Sequence, residues 1–596
     1  LPGDSVREQK IQVFLLEDLT KNRNFHEYFK LVAYNRRSTQ GKSMNETLAA
    51  SAAALGLLLF LAPKIQRRVE LSRAKHRSLA GHSRLARRVA SLIPGYAYGE
   101  ERFFSSDGAN AEVTRSRKCA FEVLCQDFSA RYRLSIAATE EARDFISDLQ
   151  FTGAYRVPFQ YSPYLRAHLK VGSFIQSSDG VWVTDLDGNR FYDLTGSYGV
   201  NLLGYDTYKS CIEEACREVG DLGPVLGAYH PCVLANVQAL RTISGLDEVS
   251  FHMSGTEAVM QAVRLARYHT GRSHVVRFCG SYHGWWEDVQ PGPGNPAPPR
   301  ETYTLADMSD KSLRVLQSRQ DIACVLVNPL QALHPNFSAP SDSSLIDSSR
   351  NAHFDRQAYT AWLQQVREVC TRRGIALIFD EVFVGFRLAP GGAQEYFGVR
   401  ADLVTYGKTL GGGLAVGVVC GRRSWMKRFR EDRPADICFA RGTFNAHPYV
   451  MAAMNAFLRR LQTPQVIRLY DGVEERWNER ANALNRQLEK ADLPVRVANL
   501  SSIWTVVYTE PSRYNWMFQF YLRQQGLALS WVGTGRLIFS LNFEDADFDE
   551  VAERFVRAAQ AMSDAKWWHS ANLQSNRSIK RSVLKEMLFQ RPKNAL

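Results

Sequence analysis

The sequence predicts an α/β fold on a mainly parallel sheet, with a smaller α+β domain and a helix-rich N-terminal extension. Three observations carry that expectation. Between residues 248 and 420, apolar β-branched runs alternate with helical patterns. Glu248–Met253, Ser273–Phe278, Ile322–Asn328, Ile375–Asp380, Leu403–Tyr406 and Val416–Cys420 read as strands, and Glu257–Tyr268 and Ala358–Arg372 as helices. Runs apolar on both faces belong to strands covered by helices on either side. The stretch Val495–Met562 mixes strand and helix patterns on a smaller scale, and residues 1–150 carry helical patterns with little else.

Taken in order, residues 1–150 open with the short amphipathic pieces Val13–Leu19 and Phe25–Leu31. The run Thr47–Pro63 (TLAASAAALGLLLFLAP) is uncharged, and the basic stretch Lys64–Arg88 follows it. At about 20 residues per membrane span this run is short, which favours a helix buried between subunits or domains. Membrane contact through residues 47–88, with the basic flank on the cytoplasmic side, is the alternative. Glu112–Phe128 and Thr139–Leu149 complete the extension as helices. Residues 151–215 begin the small domain: Ser173–Gly188 alternates like a hairpin, with a turn at Asp187-Gly188-Asn189. The large α/β domain spans 216–460 and includes the loops Pro291–Pro299 and His334–Arg350. Residues 461–565 return to the small domain, and 566–596 form a basic tail.

Composition narrows the function classes. The 596 residues exceed what one hydrophobic core organises, and 45% hydrophobic with 23% charged residues is ordinary for a globular protein. No signal pattern opens the chain, so its start at Leu1 reads as a piece of a longer protein. The net charge of +13 is concentrated at the ends. Residues 1–100 hold 17 Lys/Arg against 8 Asp/Glu, and 566–596 hold 7 against 1, which leaves the middle slightly acidic. That distribution argues against nucleic acid as a partner. Ten Cys without CxxC spacing indicate reduced thiols in the cytoplasm, with neither disulfide framework nor zinc site. His283 and Glu287 alone do not make a metal site.

Four motifs share one chemistry. Met253-Ser254-Gly255-Thr256-Glu257 turns from strand to helix, where small residues let backbone N–H groups converge on an anion. Alone it is also what a plain helix cap looks like. Ser281-Tyr282-His283-Gly284 offers an aromatic ring to stack on a flat heterocycle beside a glycine that permits close approach. Asp380 ends a buried strand, where open α/β sheets place their ligands, and a carboxylate there can keep a pyridine nitrogen protonated. Lys408 leaves a buried strand for the loop Gly411-Gly412-Gly413. A buried amine is costly unless it forms an imine, and once freed it serves as a base. A P-loop is excluded, because that pattern needs glycine where Asp402 stands.

Together with Asp380-Glu-Val-Phe-Val-Gly-Phe-Arg-Leu-Ala-Pro-Gly-Gly-Ala-Gln-Glu-Tyr-Phe-Gly398, these motifs resemble the class III pyridoxal-phosphate aminotransferases, nearest to the glutamate-1-semialdehyde 2,1-aminomutase branch. Asp185–Asp193, Gly196-Ser-Tyr-Gly199 and Gly442-Thr443-Phe444 are similar to further segments of that family, and the resemblance spans roughly 165–565. It implies the fold type I architecture, a homodimer with a shared active site, and pyridoxal 5′-phosphate in the 216–460 domain. Lys408 would hold the cofactor as a Schiff base and shuttle the proton, and Asp380 would pair with the pyridine nitrogen. Ser254, Gly255 and Thr256 would hold the phosphate, and Thr443 would reach the phosphate of the neighbouring subunit. Tyr282 and Val382 would cover the two ring faces, with His283 beside Tyr282. Ser197, Tyr198 and Arg536 would face the substrate.

The chain departs from the family at Asn328-Pro329, where Glu-Pro is usual. Phe383 replaces a common Gln, and Tyr198 stands where the aminomutases have Trp. These changes, an apolar surround of Phe383, Leu333 and Trp285-Trp286, and the lack of a late acidic gate favour an aminotransferase. It would move an amino group from an amino-acid donor to an aldehyde or ketone of a specialised metabolite, as one domain of a larger biosynthetic enzyme. The alternatives are the aminomutase isomerisation and a non-catalytic scaffold of the same fold.

Overall fold

A computed structural model describes residues 44–76, 79–290, 292–295, 301–334, 336, 352–530, 535–569 and 574–589. The expected helices Val13–Leu19 and Phe25–Leu31, and most of the His334–Arg350 loop, lie outside these residues. The chain divides into two compact units, residues 1–69 and 70–596.

The described part of the first unit is helical. The helix Met44–Ala74 runs through Pro63, although a proline removes one backbone donor and commonly ends a helix. Leu55, Leu57, Leu58, Leu59 and Phe60 on it are each more than half exposed. At these positions the run is not covered by its own chain, so the expected burial would have to come from a second subunit. The alternative, membrane contact through 47–88, gains no support: among the described residues no helix is long and apolar enough to cross a membrane.

The second unit carries fourteen strands among its described residues. They are β1 Ile175–Asp179, β2 Trp182–Asp185, β3 Arg190–Asp193, β4 Glu248–His252, β5 His274–Phe278, β6 Thr302–Leu305 and β7 Ile322–Val327. There follow β8 Ala376–Asp380, β9 Leu403–Gly407, β10 Gly417–Gly421, β11 Val495–Leu500, β12 Ile503–Tyr508, β13 Leu527–Ala528 and β14 Arg536–Ile538. The large sheet has the order β4-β10-β9-β8-β7-β5-β6. All neighbours in it are parallel except β10, which runs antiparallel to both β4 and β9. Every residue of β7, β8, β9 and β10 is buried, as a sheet covered on both faces requires. Because β8 and β9 are parallel neighbours, Asp380 and Gly407 end at the same edge. That edge is where such sheets bind ligands.

Two smaller sheets accompany it: β1-β2-β3-β13, and the antiparallel β11-β12-β14. The hairpin read over Ser173–Gly188 is two successive turns, one at Gly180 between β1 and β2 and one at Gly188 between β2 and β3. The edge strand β6 escaped the sequence reading, because its four residues alternate between buried and half-buried and form no long apolar run. The helix expected over Thr139–Leu149 is broken into Arg133–Arg143 and Ser147–Tyr155.

The extension and the end of the chain are joined by buried ion pairs. Arg117 makes two hydrogen bonds to Asp107 and donates to the carbonyls of Phe104, Lys566 and His569. The stretch read as a basic tail forms the helix Asn576–Phe589, whose Glu586 accepts hydrogen bonds from Arg513, Arg102 and Tyr98. Burial alone would raise the Glu586 pKa, but the bonds and charge of Arg513 outweigh it and pull the carboxyl down to about 2. Glu586→Gln is expected to cost on the order of 2 kcal/mol by leaving Arg513 buried without its counter-charge. A carboxyl with a depressed pKa stabilises above its unfolded value of about 4.3. The gap between wild type and variant should therefore be full at pH 6 and close as the pH falls towards 2. Denaturant midpoints across that range check it.

Candidate active site

The site is built where β9 ends. Its buried residues carry the chain to Lys408, whose φ of 51° lies in the left-handed region that side chains rarely adopt. The amine sits 4.4 Å from the centre of the Phe383 ring. Burial, helped by the positive charge of Arg536, pulls its pKa down to about 7, against a smaller opposing effect of Asp380. Near neutral pH a large fraction of this amine is therefore unprotonated and nucleophilic.

Asp380, at the end of β8, is held from three sides. His283 Nδ1 lies 2.8 Å from Oδ2, while the Thr405 hydroxyl at 3.3 Å and the Val382 N–H at 3.2 Å both donate to Oδ1. His283 is fully buried, and burial lowers its pKa more than the bond to Asp380 raises it. The imidazole is thus neutral and donates its Nδ1 proton to the carboxylate.

A floor of small residues completes this side. A Cβ on Gly255 would lie 2.5 Å from Val382, and one on Gly407 would lie 3.2 Å from it. Gly284, with φ of 92°, lies so close to Thr256 that a Cβ would fall 2.6 Å from its hydroxyl. Ser254, Gly255, Thr256, His283, Val382, Asp380 and Lys408 are thereby gathered at one sheet edge. The Ser254 hydroxyl is already engaged as the cap of the helix Gly255–Thr270, accepting from Glu257 N at 3.2 Å. Tyr282 is 57% exposed, with its carbonyl accepting from the Asn328 amide. Thr443 is exposed, and no hydrogen bond is formed by its side chain among the described residues.

On the substrate side, Ser197 and Tyr198 adopt consecutive left-handed conformations, with φ of 44° and 56°. The next residue, Gly199, packs so closely that a Cβ would fall 2.9 Å from Phe383 and 3.4 Å from the Lys408 side chain. The Arg536 guanidinium, on β14, lies 5.2 Å from the centre of the same Phe383 ring.

Three groups escaped sequence reasoning. Glu381 is fully buried, and desolvation raises its carboxyl to about 8 even though it accepts from Ala393 N and Gln394 N. The buried Arg387 donates to the carbonyls of Asn201 and Phe539, tying the loop after Gly199 to the end of β14. Asp193 accepts from Thr195 and from Tyr205, whose hydroxyl also meets Ser197 at 2.8 Å. Glu381 and Arg387 sit in the DEVFVGFR motif, but only their burial distinguishes them from surface charges. Away from this site, Glu218, His230 and Cys232 place ligand atoms within 4.8 Å of one another. Burial pushes the Cys232 thiol up to about 11, and the His230 Nδ1 accepts from Cys232 N.

A buried lysine with a depressed pKa beside a histidine-held carboxylate, over a glycine floor at parallel strand ends, defines a pyridoxal-phosphate enzyme of fold type I. The residues fit that cofactor: an acid for the ring nitrogen, an amine for the aldehyde, and a helix start for the phosphate. Residues 164–287 and 355–559 match the family described as Aminotransferase class-III, and the chain belongs to it. Its cofactor is pyridoxal 5′-phosphate, and it is an enzyme of aminotransferase or aminomutase type. It is 35% identical over 331 residues to a glutamate-1-semialdehyde 2,1-aminomutase from Alkaliphilus oremlandii, spanning 52% of this chain and 72% of the relative. A second such aminomutase, from Geotalea daltonii, is 31% identical over 380 residues, 60% of this chain and 83% of the relative. Among solved structures, an omega-transaminase from Sphaerobacter thermophilus superimposes with a TM-score of 0.58 at 24% identity, covering 73% of this chain and 99% of that one. A glutamate-1-semialdehyde aminomutase from Pseudomonas aeruginosa PAO1 gives 0.60 at 18% identity, with 76% and 99% covered. These two likenesses establish the fold.

Proposed function

We propose that the chain transfers an amino group from an amino-acid donor to an aldehyde or ketone acceptor. The observation that carries this reading is the trio at the site mouth, with the Lys408 amine and the Arg536 guanidinium 4.4 and 5.2 Å from the centre of the Phe383 ring. A guanidinium recognises the donor carboxylate by paired, charge-assisted hydrogen bonds, while the ring favours an apolar acceptor. Bound pyridoxal phosphate supplies an electrophilic aldehyde and a ring that accepts electron density from the donor carbon. Lys408 moves the proton at that carbon, Asp380 holds the proton on the ring nitrogen, and His283 orients Asp380. Gly199, after the Ser197-Tyr198 turn, packs against the Lys408 side chain.

A second reading is the 2,1-aminomutase reaction on glutamate-1-semialdehyde, favoured by the names of the relatives that are 31–35% identical. A half-reaction assay separates the two. Holoenzyme mixed with glutamate or alanine alone should change the cofactor absorbance and release the matching keto acid. Conversion of glutamate-1-semialdehyde with no donor, and no keto acid from any amino acid, would reverse the order of these readings.

Two further outcomes follow. Arg536→Ala should raise the donor KM by roughly ten- to a hundredfold, the scale of losing a charge-assisted pair, while kcat changes by less. An unchanged KM in steady-state kinetics would remove the carboxylate role. Thr443→Ala should weaken cofactor retention, because we assign Thr443 to the phosphate held by the partner in a two-fold dimer. Mixed with Lys408→Ala, it should regain one working site per heterodimer. Heterodimers without activity would place Thr443 in its own subunit's chemistry.

A further inference from the structure

A second basic site lies around the helices that precede β1, apart from the residues that build the candidate active site. The helices Arg133–Arg143, Ser147–Tyr155 and Ser162–His168 enclose a cavity of about 40 Å³, with Leu149, Leu165, Leu169 and Phe520 contributing apolar wall. That is roughly three times the 10–15 Å³ that one water needs, and suits a tetrahedral oxyanion. Four cationic side chains line it: Arg143, Arg156, Arg166 and Lys170.

Among Arg143, Arg166 and Lys170 the only carboxylate partner in the described residues is Glu140, which pairs with Arg143 at 2.5 Å and Lys170 at 2.9 Å. It is shared between those two, and Arg166 forms no ion pair among the described residues. The Nε groups of Arg143 and Arg166 are both buried without a hydrogen-bond partner among the described residues. Gly153 leaves the space between them open: a Cβ there would sit 4.0 Å from Arg143 Nε and from Arg166 Cδ. Buried donors are normally satisfied, and a surplus of guanidinium groups around a small cavity repels itself unless an anion neutralises it.

We propose that this cavity binds a phosphate group, with Arg166 and Arg143 as its principal donors. Guanidinium forks match phosphate geometry, and a dianion answers the charge surplus where a single carboxylate would not. The phosphate is either the free ion or the terminus of a phosphate monoester.

The test is calorimetric titration of the holoenzyme, whose cofactor already fills the other phosphate site, with inorganic phosphate at constant ionic strength and chloride as control. One saturable site per chain is expected in the wild type. Arg166→Gln should weaken it about tenfold or more, with cofactor content and melting temperature unchanged. Gly153→Val, which fills the cavity but keeps every charge, should weaken it likewise and guards against misfolding of the Arg166 variant. Titration with n-butyl phosphate distinguishes the sources: binding at least as tight as phosphate assigns a monoester, and much weaker binding assigns the free ion. No saturable binding in the wild type, or binding indifferent to both substitutions, overturns the proposal.

Discussion

Lys408→Ala is expected to lower turnover by on the order of 10⁵-fold or more, the scale seen when one side chain that is both nucleophile and base is removed. The effect is large because this amine alone combines reach with a pKa near 7, set chiefly by its burial at the end of β9. No other lysine stands in the motifs that build the site, so no neighbour inherits the proton transfer. The variant should fold and dimerise, since the surrounding β8, β9 and β10 bury apolar side chains that the substitution leaves alone. Borohydride reduction of wild-type holoenzyme, followed by peptide mapping, should find the cofactor fixed on Lys408. Attachment at a different lysine would defeat the assignment.

Asp380→Asn should cost about 10³-fold in the rate of the half-reaction, comparable with removing a preorganised partner of developing charge. The amide keeps the shape and one acceptor for Thr405 and Val382, but it cannot hold a proton on a pyridine nitrogen. It also deprives the buried His283 of its anionic partner. Cofactor content should stay near that of the wild type, because the Gly255 and Thr256 backbone lies at a different part of the site. Single-turnover absorbance with a saturating amino-acid donor measures both quantities. A rate within tenfold of wild type would mean that the carboxylate is structural.

Much of the candidate site was legible in residue order. Asp380 closes a run that is apolar at every position and Lys408 one interrupted only by Thr405 and Gly407, short runs of the kind that form strands covered on both faces. Their ends therefore had to meet at a sheet edge, whatever surrounded them. The motif Ser254-Gly255-Thr256 carried two readings, phosphate cradle and helix cap. The fold gives Ser254 the capping role, while Gly255 packs closely on Val382. Glu381 and Arg387 were visible as letters in a dense motif, yet their burial depends on Ala393, Gln394, Asn201 and Phe539.

The sequence by itself determined six of the seven strands of the large sheet, because periodicity and apolar run length are local properties of the chain. It also determined which residue types could do the chemistry. Only the tertiary structure decided that His283 holds Asp380, a contact made across 97 residues. Only it decided that Leu55, Leu57, Leu58, Leu59 and Phe60 stay exposed within one chain, and that the last basic stretch is a helix tied by Glu586 to Arg513. The physical reason is the same in each case. Burial and charge pairing depend on distances between segments far apart in sequence, and no local pattern encodes the partner.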